Sequence, residues 1–355
     1  MAVFKRRLLA VLFLAGGLLL LPWTTSGQES WLTPALAVAG PLWEDVGEYG
    51  ARGDNITDDT AAIQMAIDAV SSRGGGVVML SRGTYLTSGA GLKIRESGVC
   101  LSGVNEHVSI IKHMGSNPAI TVGEGTICQH NRLERLQIVG TEATSHGILL
   151  NDNVIRYNIE DISVSGFKQG AAIKAQDYNH SGHILRSEIT NNKIGISIGN
   201  HGQFTDISYC KIYFNVKYGI ELVDCNVINI LSCQIEKNGD SSGASIIARG
   251  VDALNIIGCY NEQNQAYPAP FIIFTKGDVA SKCHAVNVFG TRSIGNQVAP
   301  HSVVIEAVEN ICFTGNFFNS FSVGIFAARR LTITSVKMIY GQANYLGGPL
   351  GDKIF

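Results

Sequence analysis

One apolar position recurs through the middle of this chain at an almost constant interval. Ile138, Val164, Ile189, Ile212 and Ile235, with Asn261 in the sixth place, are separated by 26, 25, 23, 23 and 26 residues. A repeat of roughly 20 to 30 residues builds a solenoid, because one unit cannot bury its own apolar face and must stack on the next. Each unit carries short segments of alternating polarity, as in "RSEITNN" followed by "KIGISIG". Alternation of period two belongs to strands, and no unit holds a run long enough for an amphipathic helix, which excludes helical and leucine-rich repeats. The expected fold class is all-β: a single-stranded right-handed parallel β-helix, whose coils of about 24 residues each advance by one interstrand spacing of roughly 4.8 Å.

The register assigns faces. Two positions before the central residue stand Ser187, Cys210, Cys233 and Cys259, predicted to point inward and stack along the axis as small apolar side chains. A disulfide between adjacent rungs fits the spacing, though no pairing is favoured. The asparagines of "TNNKIG", "YFNVKYG" and "EKNGD" suit turns that tolerate left-handed backbone and allow bonding along a ladder. Later units, "HAVNVFGTRSIGN" and "NICFTGNFFNS", keep the pattern, and "NQAYPAPFIIFTKGDVASK" between the coils reads as a loop insertion, which a solenoid accommodates at small cost.

With 45% hydrophobic and 16% charged residues the chain has the composition of a folded protein. Its net charge of −2, with the 27 Lys and Arg dispersed, excludes nucleic acid as a partner. The eight cysteines are too sparse for a disulfide framework. Neither CxxC nor HExxH occurs, which leaves zinc sites unsupported. Calcium is conceivable through Asp-rich turns, without a recognisable ligand spacing.

The N-terminus has the form of a secretory signal over residues 1–39. Lys5, Arg6 and Arg7 precede the apolar run Leu8 to Leu21, and "ALAVAG" offers cleavage after Ala39, with Gly27 as an earlier alternative. The expectation is a secreted or extracytoplasmic protein, membrane-bound only if that segment is retained, with residues 40–355 as the β-helix domain. Within it, residues 43–90 form an N-terminal cap. Thr57 or Asp58 is placed to cap a helix from Asp58 to Val70 with Ile63, Ala66, Ile67 and Val70 on its apolar face. Such a helix would cover the open end of the first coil.

The cap region contains "YGARGD", "TDDTAAIQMAID", "GGGVVML" and "GTYL" in that order. It resembles the entry segment of the pectate lyase superfamily, the polygalacturonase-related right-handed parallel β-helix proteins. Asn55 stands where that family commonly has Gly, and Ser81 where it has Pro. The resemblance implies a carbohydrate-linked function, and homotrimers are possible because tailspikes of this fold trimerise. Polygalacturonase catalytic motifs are not intact. Thr205-Asp206 lacks the preceding Asn, and both His201-Gly202 and His146-Gly147 lack the leading Gly.

Cleavage of a glycosidic bond needs two flanking carboxyls, or a base beside a uronate together with a group that neutralises its carboxylate. Six residues before the central position, His183 and Asp206 fall on adjacent rungs; Asp177, His180, His201 and Asp224 lie in neighbouring turns. These are the candidate catalytic residues: His183 as base or acid, Asp206 as its partner, and Asp177, His201 and Asp224 lining a groove. Glu236 and Glu262, one residue beyond the centre, are expected to point outward as a second carboxylate pair. Glu188 and Lys211 read as a cross-strand ion pair. Tyr209, Tyr213, Tyr218 and Tyr260 are placed to stack on sugar rings. The resulting reading is an exported polysaccharide lyase or glycoside hydrolase, against the alternative of a glycan-binding surface or matrix protein without catalysis, with polysaccharide as the partner in either case.

Overall fold

The computed structural model describes residues 10–14, 17–21 and 42–355, except 126, 264–268, 281, 295–302, 319–320, 324–330, 335–336, 339–343 and 346–355. The chain divides into two compact units, residues 1–40 and 41–355. In the first, Ala10–Leu14 pairs antiparallel with Gly17–Leu21. The expected cleavage points near 27 and 39 lie outside the described residues. Among the described residues no helix is long and apolar enough to cross a membrane.

The second unit is a parallel β-solenoid of three sheets. Sheet I runs from Trp43–Asp45 through strands such as His183–Leu185 and Gln203–Ser208. Sheet II contains Glu188–Thr190 and Lys211–Tyr213, and sheet III contains Ile194–Ile198 and Tyr218–Val223. Each coil visits the sheets in that order. The repeat read from the sequence is the inner column of sheet II, in which Ile138 pairs with Val164, then Ile189, Ile212 and Ile235. All five are fully buried. Ser187, Cys210, Cys233 and Cys259 are buried in one column as expected. Each of the three thiols donates to the carbonyl of the rung before it, Ile184, Ile207 and Ile230 respectively. All eight cysteines are free. The hydrogen bond with Cys233, and then burial, hold the Cys210 and Cys259 thiols well above the ordinary thiol range, and burial does the same for Cys225.

The capping helix is Thr60–Ser72, beginning two residues later than expected. Ile63, Ala66, Ile67 and Val70 are fully buried against the first strands and the turn Val46–Tyr49. Its N-cap is Asp59, whose carboxylate makes no capping bond and instead accepts from the Arg52 and Gly53 amides. Asp58 supplies the helix-end bond by accepting from the Thr60 amide. The polar groups thus tie the "YGARGD" loop to the helix start, and the apolar stripe closes the end of the core.

Between sheets II and III the corner is held from inside. Asn192, Asn215 and Asn238 are fully buried in successive rungs. Asn215 Nδ2 donates to Ile189 O at 3.2 Å and Asn238 Oδ1 at 2.9 Å, and its Oδ1 accepts from the Asn192 amide at 3.1 Å and Asn192 Nδ2 at 3.0 Å. A buried amide so fully satisfied locks register, because losing it strands its partners in an apolar medium. The variant Asn215→Ala is expected to lower the unfolding free energy by about 2–4 kcal/mol, read from urea denaturation. A loss below about 0.5 kcal/mol, the scale of an ordinary surface change, would show that the ladder does not carry the corner.

Candidate functional site

Side chains on the outer face of sheet I form axial columns, since parallel strands in register place equivalent residues one above another. One column reads Arg132, Asn158, His183, Asp206, Asn229, Asn255 and Asn287. His183 Nδ1 lies 3.3 Å from Asp206 Oδ2, with the side chains 49% and 33% exposed. Asp206 Oδ1 accepts from Asn229 Nδ2 at 2.7 Å. The carboxylate therefore sits between an imidazole and an amide, which fixes its orientation. His183 Nε2 has no hydrogen-bond partner among the described residues.

In the rungs before this pair, and at the corner after His183, three arginines join with carboxylates in one ion-pair network, although the basic residues look dispersed in sequence. Arg132 Nη2 bonds Glu134 at 2.6 Å and Glu160 at 2.7 Å, and Arg135 Nη2 bonds Glu134 at 2.7 Å. Arg186 donates through Nε to Asp161 at 2.8 Å and through Nη2 to Glu160 at 2.9 Å. These three arginines are half-exposed. The Nη1 donors of Arg132 and Arg186 are not used in these bonds. Spacings of 25 and 26 residues bring them together, and applying the sheet II register to the arginines would have found them.

The other expected catalytic residues do not converge on His183. Asp177, His201 and Asp224 lie at the corner between sheets III and I, where His201 stacks on Tyr178 with ring centroids 4.6 Å apart and planes 5° from parallel. Asp224 is not a groove-lining acid. Its carboxylate accepts from the amides of Asp278 at 2.8 Å, Val279 at 2.9 Å and Ala280 at 2.9 Å, and so pins the loop of the inserted segment. Removing three charge-assisted bonds by Asp224→Ala is expected to cost about 2–4 kcal/mol. Hydrogen exchange should show amides 278–280 losing protection first; unchanged protection there would refute the pinning role.

The second carboxylate pair is not an open one. Glu236 is buried and accepts from Gln234 Nε2 at 2.5 Å, while Glu262 accepts from Tyr260 Oη at 3.2 Å. Each acid is occupied by a neighbour on its own strand. Glu188 does not bridge to Lys211 either, since its Oε1 takes the Tyr213 hydroxyl at 2.7 Å. Tyr209, 66% exposed at the corner between sheets I and II, is the most exposed tyrosine among the described residues. Tyr218 is buried instead, because Arg249 packs over its ring at 5.4 Å and donates to its hydroxyl at 3.0 Å.

Tyr218 belongs to a cluster on the outer face of sheet III that sequence reasoning missed. Glu221 accepts from Arg249 Nη1 and from Ser197 Oγ, both at 3.0 Å, and Lys174 continues the Ser197 and Glu221 column. The inner residues Ile173, Ile196, Ile220 and Ile246 repeat in step and could have exposed it. Nearby, His146 Nδ1 accepts from the Ala171 amide at 2.9 Å. Burial, and then the Lys174 and Lys193 ammoniums, depress its pKa to about 4. The unfolded imidazole protonates near 6.5, so acid favours the unfolded chain between those values. This contribution to stability is complete above about pH 6.5 and is lost as the pH falls to about 4, amounting to at most ~3 kcal/mol. His146→Gln should flatten the decline in melting temperature over that window; an unchanged decline would assign it to other groups.

Among the described residues, no group of three or more His, Cys, Asp or Glu is arranged to hold a metal ion.

Comparison with known proteins bears on the scaffold. The family described as rhamnogalacturonase A/epimerase, pectate lyase-like, matches residues 43–131. Mannuronan C5-epimerase AlgE4 of Azotobacter vinelandii is 41% identical over 83 residues, 22% of this chain and 15% of its own length. Plasmin and fibronectin-binding protein A of Streptococcus pneumoniae is 33% identical over 131 residues, 34% of this chain and 18% of that protein. The chain thus matches only a small part of these curated relatives. The AlgE4 A-module structure superposes with a TM-score of 0.62 at 16% identity, covering 86% of this chain and all (100%) of that one. DFA-IIIase from Arthrobacter chlorophenolicus A6 gives 0.64 at 13%, covering 85% of this chain and 86% of that one. These structures share the solenoid, and the family match ends before His183.

Proposed function

We propose that this chain, a pectate-lyase-like parallel β-helix, is an exported enzyme acting on an acidic polysaccharide by removing the proton beside a uronate carboxylate, as a lyase or an epimerase does. The observation that carries the reading is the His183–Asp206 pair at 3.3 Å on an open sheet face beside the arginine cluster. With Asp206 Oδ2 3.3 Å from Nδ1, Nε2 is the base in this reading, and the carboxylate's charge stabilises the imidazolium that forms. Arg132 and Arg186 supply N–H donors to the uronate carboxylate, which makes the adjacent C–H more acidic. Hydrolysis between two carboxyls is less well supported, because Glu236 and Glu262 are each occupied within their own strand. Export rests on the basic and apolar N-terminal segment. The epimerase acts, by its name, on mannuronan, and so mannuronan is the first substrate to try.

The likeness to a streptococcal binding protein favours, as a second reading, glycan or protein binding without catalysis. A polysaccharide panel read for unsaturated uronates, by ultraviolet absorbance, and for exchange at C5 separates the two. His183→Ala and Asp206→Asn are expected to lower kcat on the order of a hundredfold or more with folding intact. Glu221→Gln should leave it unchanged. The reverse pattern would move the site to sheet III, and binding without turnover across the panel would favour the second reading.

A further inference from the structure

Asn229, Asn255 and Asn287 continue the His183–Asp206 column through three further rungs of sheet I. Asn255 Nδ2 donates to Asn229 Oδ1 at 2.8 Å, and Asn287 Nδ2 to Asn255 Oδ1 at 3.0 Å. All the bonds run in one direction and end on Asp206. This outer ladder differs from the buried one at Asn192, Asn215 and Asn238. The buried amides bond backbone groups and hold the coil, whereas the side chains of the outer three bond only other side chains. Each outer amide has two N–H groups and an oxygen with two lone pairs. Along the ladder, donors and acceptors therefore remain over for solvent at every rung, about 4.8 Å apart.

Beside the amides, Leu231, Ile257 and Phe289 form a parallel apolar column. Ile257 is 38% and Phe289 52% exposed, and neither contributes to the buried core. A polar strip with an apolar strip alongside, both repeating once per rung, complements a pyranose ring with a hydroxyl edge and a C–H face. The rung spacing is also close to the advance per sugar in an extended pyranose chain. A linear glycan lying along the solenoid axis therefore meets the same pattern at each successive unit.

Resting on the reading above, we infer that this double column is a binding track for a linear polysaccharide, which runs from the reacting unit at His183–Asp206 toward the C-terminal rungs. The track is uncharged along its three amides, so it engages hydroxyls and ring faces. The carboxylate is recognised at the arginine end.

The test uses the full chain with mannuronate oligomers of increasing length, and neutral β-1,4-glucan oligomers as the hydroxyl-only probe, measured by calorimetry. Wild-type affinity should rise with each unit added until the track is filled. Phe289→Ala, which removes an exposed ring, and Asn287→Ala should each weaken long mannuronate oligomers about fivefold to tenfold while leaving the shortest ones and their turnover unchanged. Weak, length-dependent binding of the neutral oligomers, lost in the same variants, would support recognition of hydroxyls. Equal weakening at all lengths, or none in either variant, would overturn the track with the His183–Asp206 reading intact. Wild-type protein that neither binds nor turns over the mannuronate oligomers, while remaining folded, would overturn both.

Discussion

The parallel pairing of each strand with its equivalent one coil away is the constraint on which the rest of this protein depends. A shift of one residue would reverse every side chain between core and solvent. Such a slip is opposed from inside. The Ile138 to Ile235 column has no polar alternative to burial, and the Asn192, Asn215 and Asn238 amides satisfy one another only when the rungs are aligned. Identical register makes each outward position a column, so surface chemistry is organised along the axis rather than around a pocket. The capping helix protects this arrangement where the described solenoid begins, since Ile63, Ile67 and Val70 cover the core there.

Much of the scaffold was legible in the sequence because the period of the apolar residues is itself the structure. The central column, the thiol stack and the pairing of His183 with Asp206 all follow from that one alignment. The corners were harder to read. Arg135, Asp161, Arg186, Tyr209 and Ser232 occupy the bend between sheets I and II with φ between 46° and 58°, and only later do Gly258, Gly290 and Gly315 take over. A left-handed residue without glycine leaves no local signature. Neighbouring rungs impose the conformation, through bonds such as Arg186 N to Ser208 O at 3.0 Å.

The surface was legible only in part, and for a related reason. Arg132 and Arg186 belong to one cluster with Glu160 although 54 residues separate them (186 − 132), and charge counted along the chain describes such a pattern as dispersed. Asp224 illustrates the opposite error. Its register suggested a groove, yet the loop that follows 54 residues later (278 − 224) folds back and consumes the carboxylate with three amides. Register fixes where a side chain stands, and insertions decide what reaches it.

The two asparagine ladders separate saturated from unsaturated bonding within one residue type. Asn215 is saturated by bonds to Ile189 O and to the Asn192 and Asn238 side chains, so nothing remains of its valence for solvent. Asn255 lies between Asn229 and Asn287 and meets them only through side chains, which keeps part of its valence available. Burial accounts for the difference. Inside, an unpaired amide is costly, so the corner accepts only the fully bonded arrangement. On sheet I, water can replace any absent partner, and the column tolerates a half-bonded amide at each rung. A solenoid built from one repeated register can therefore stabilise itself through an inner column and present an unsaturated outer one, with the same residue serving both faces.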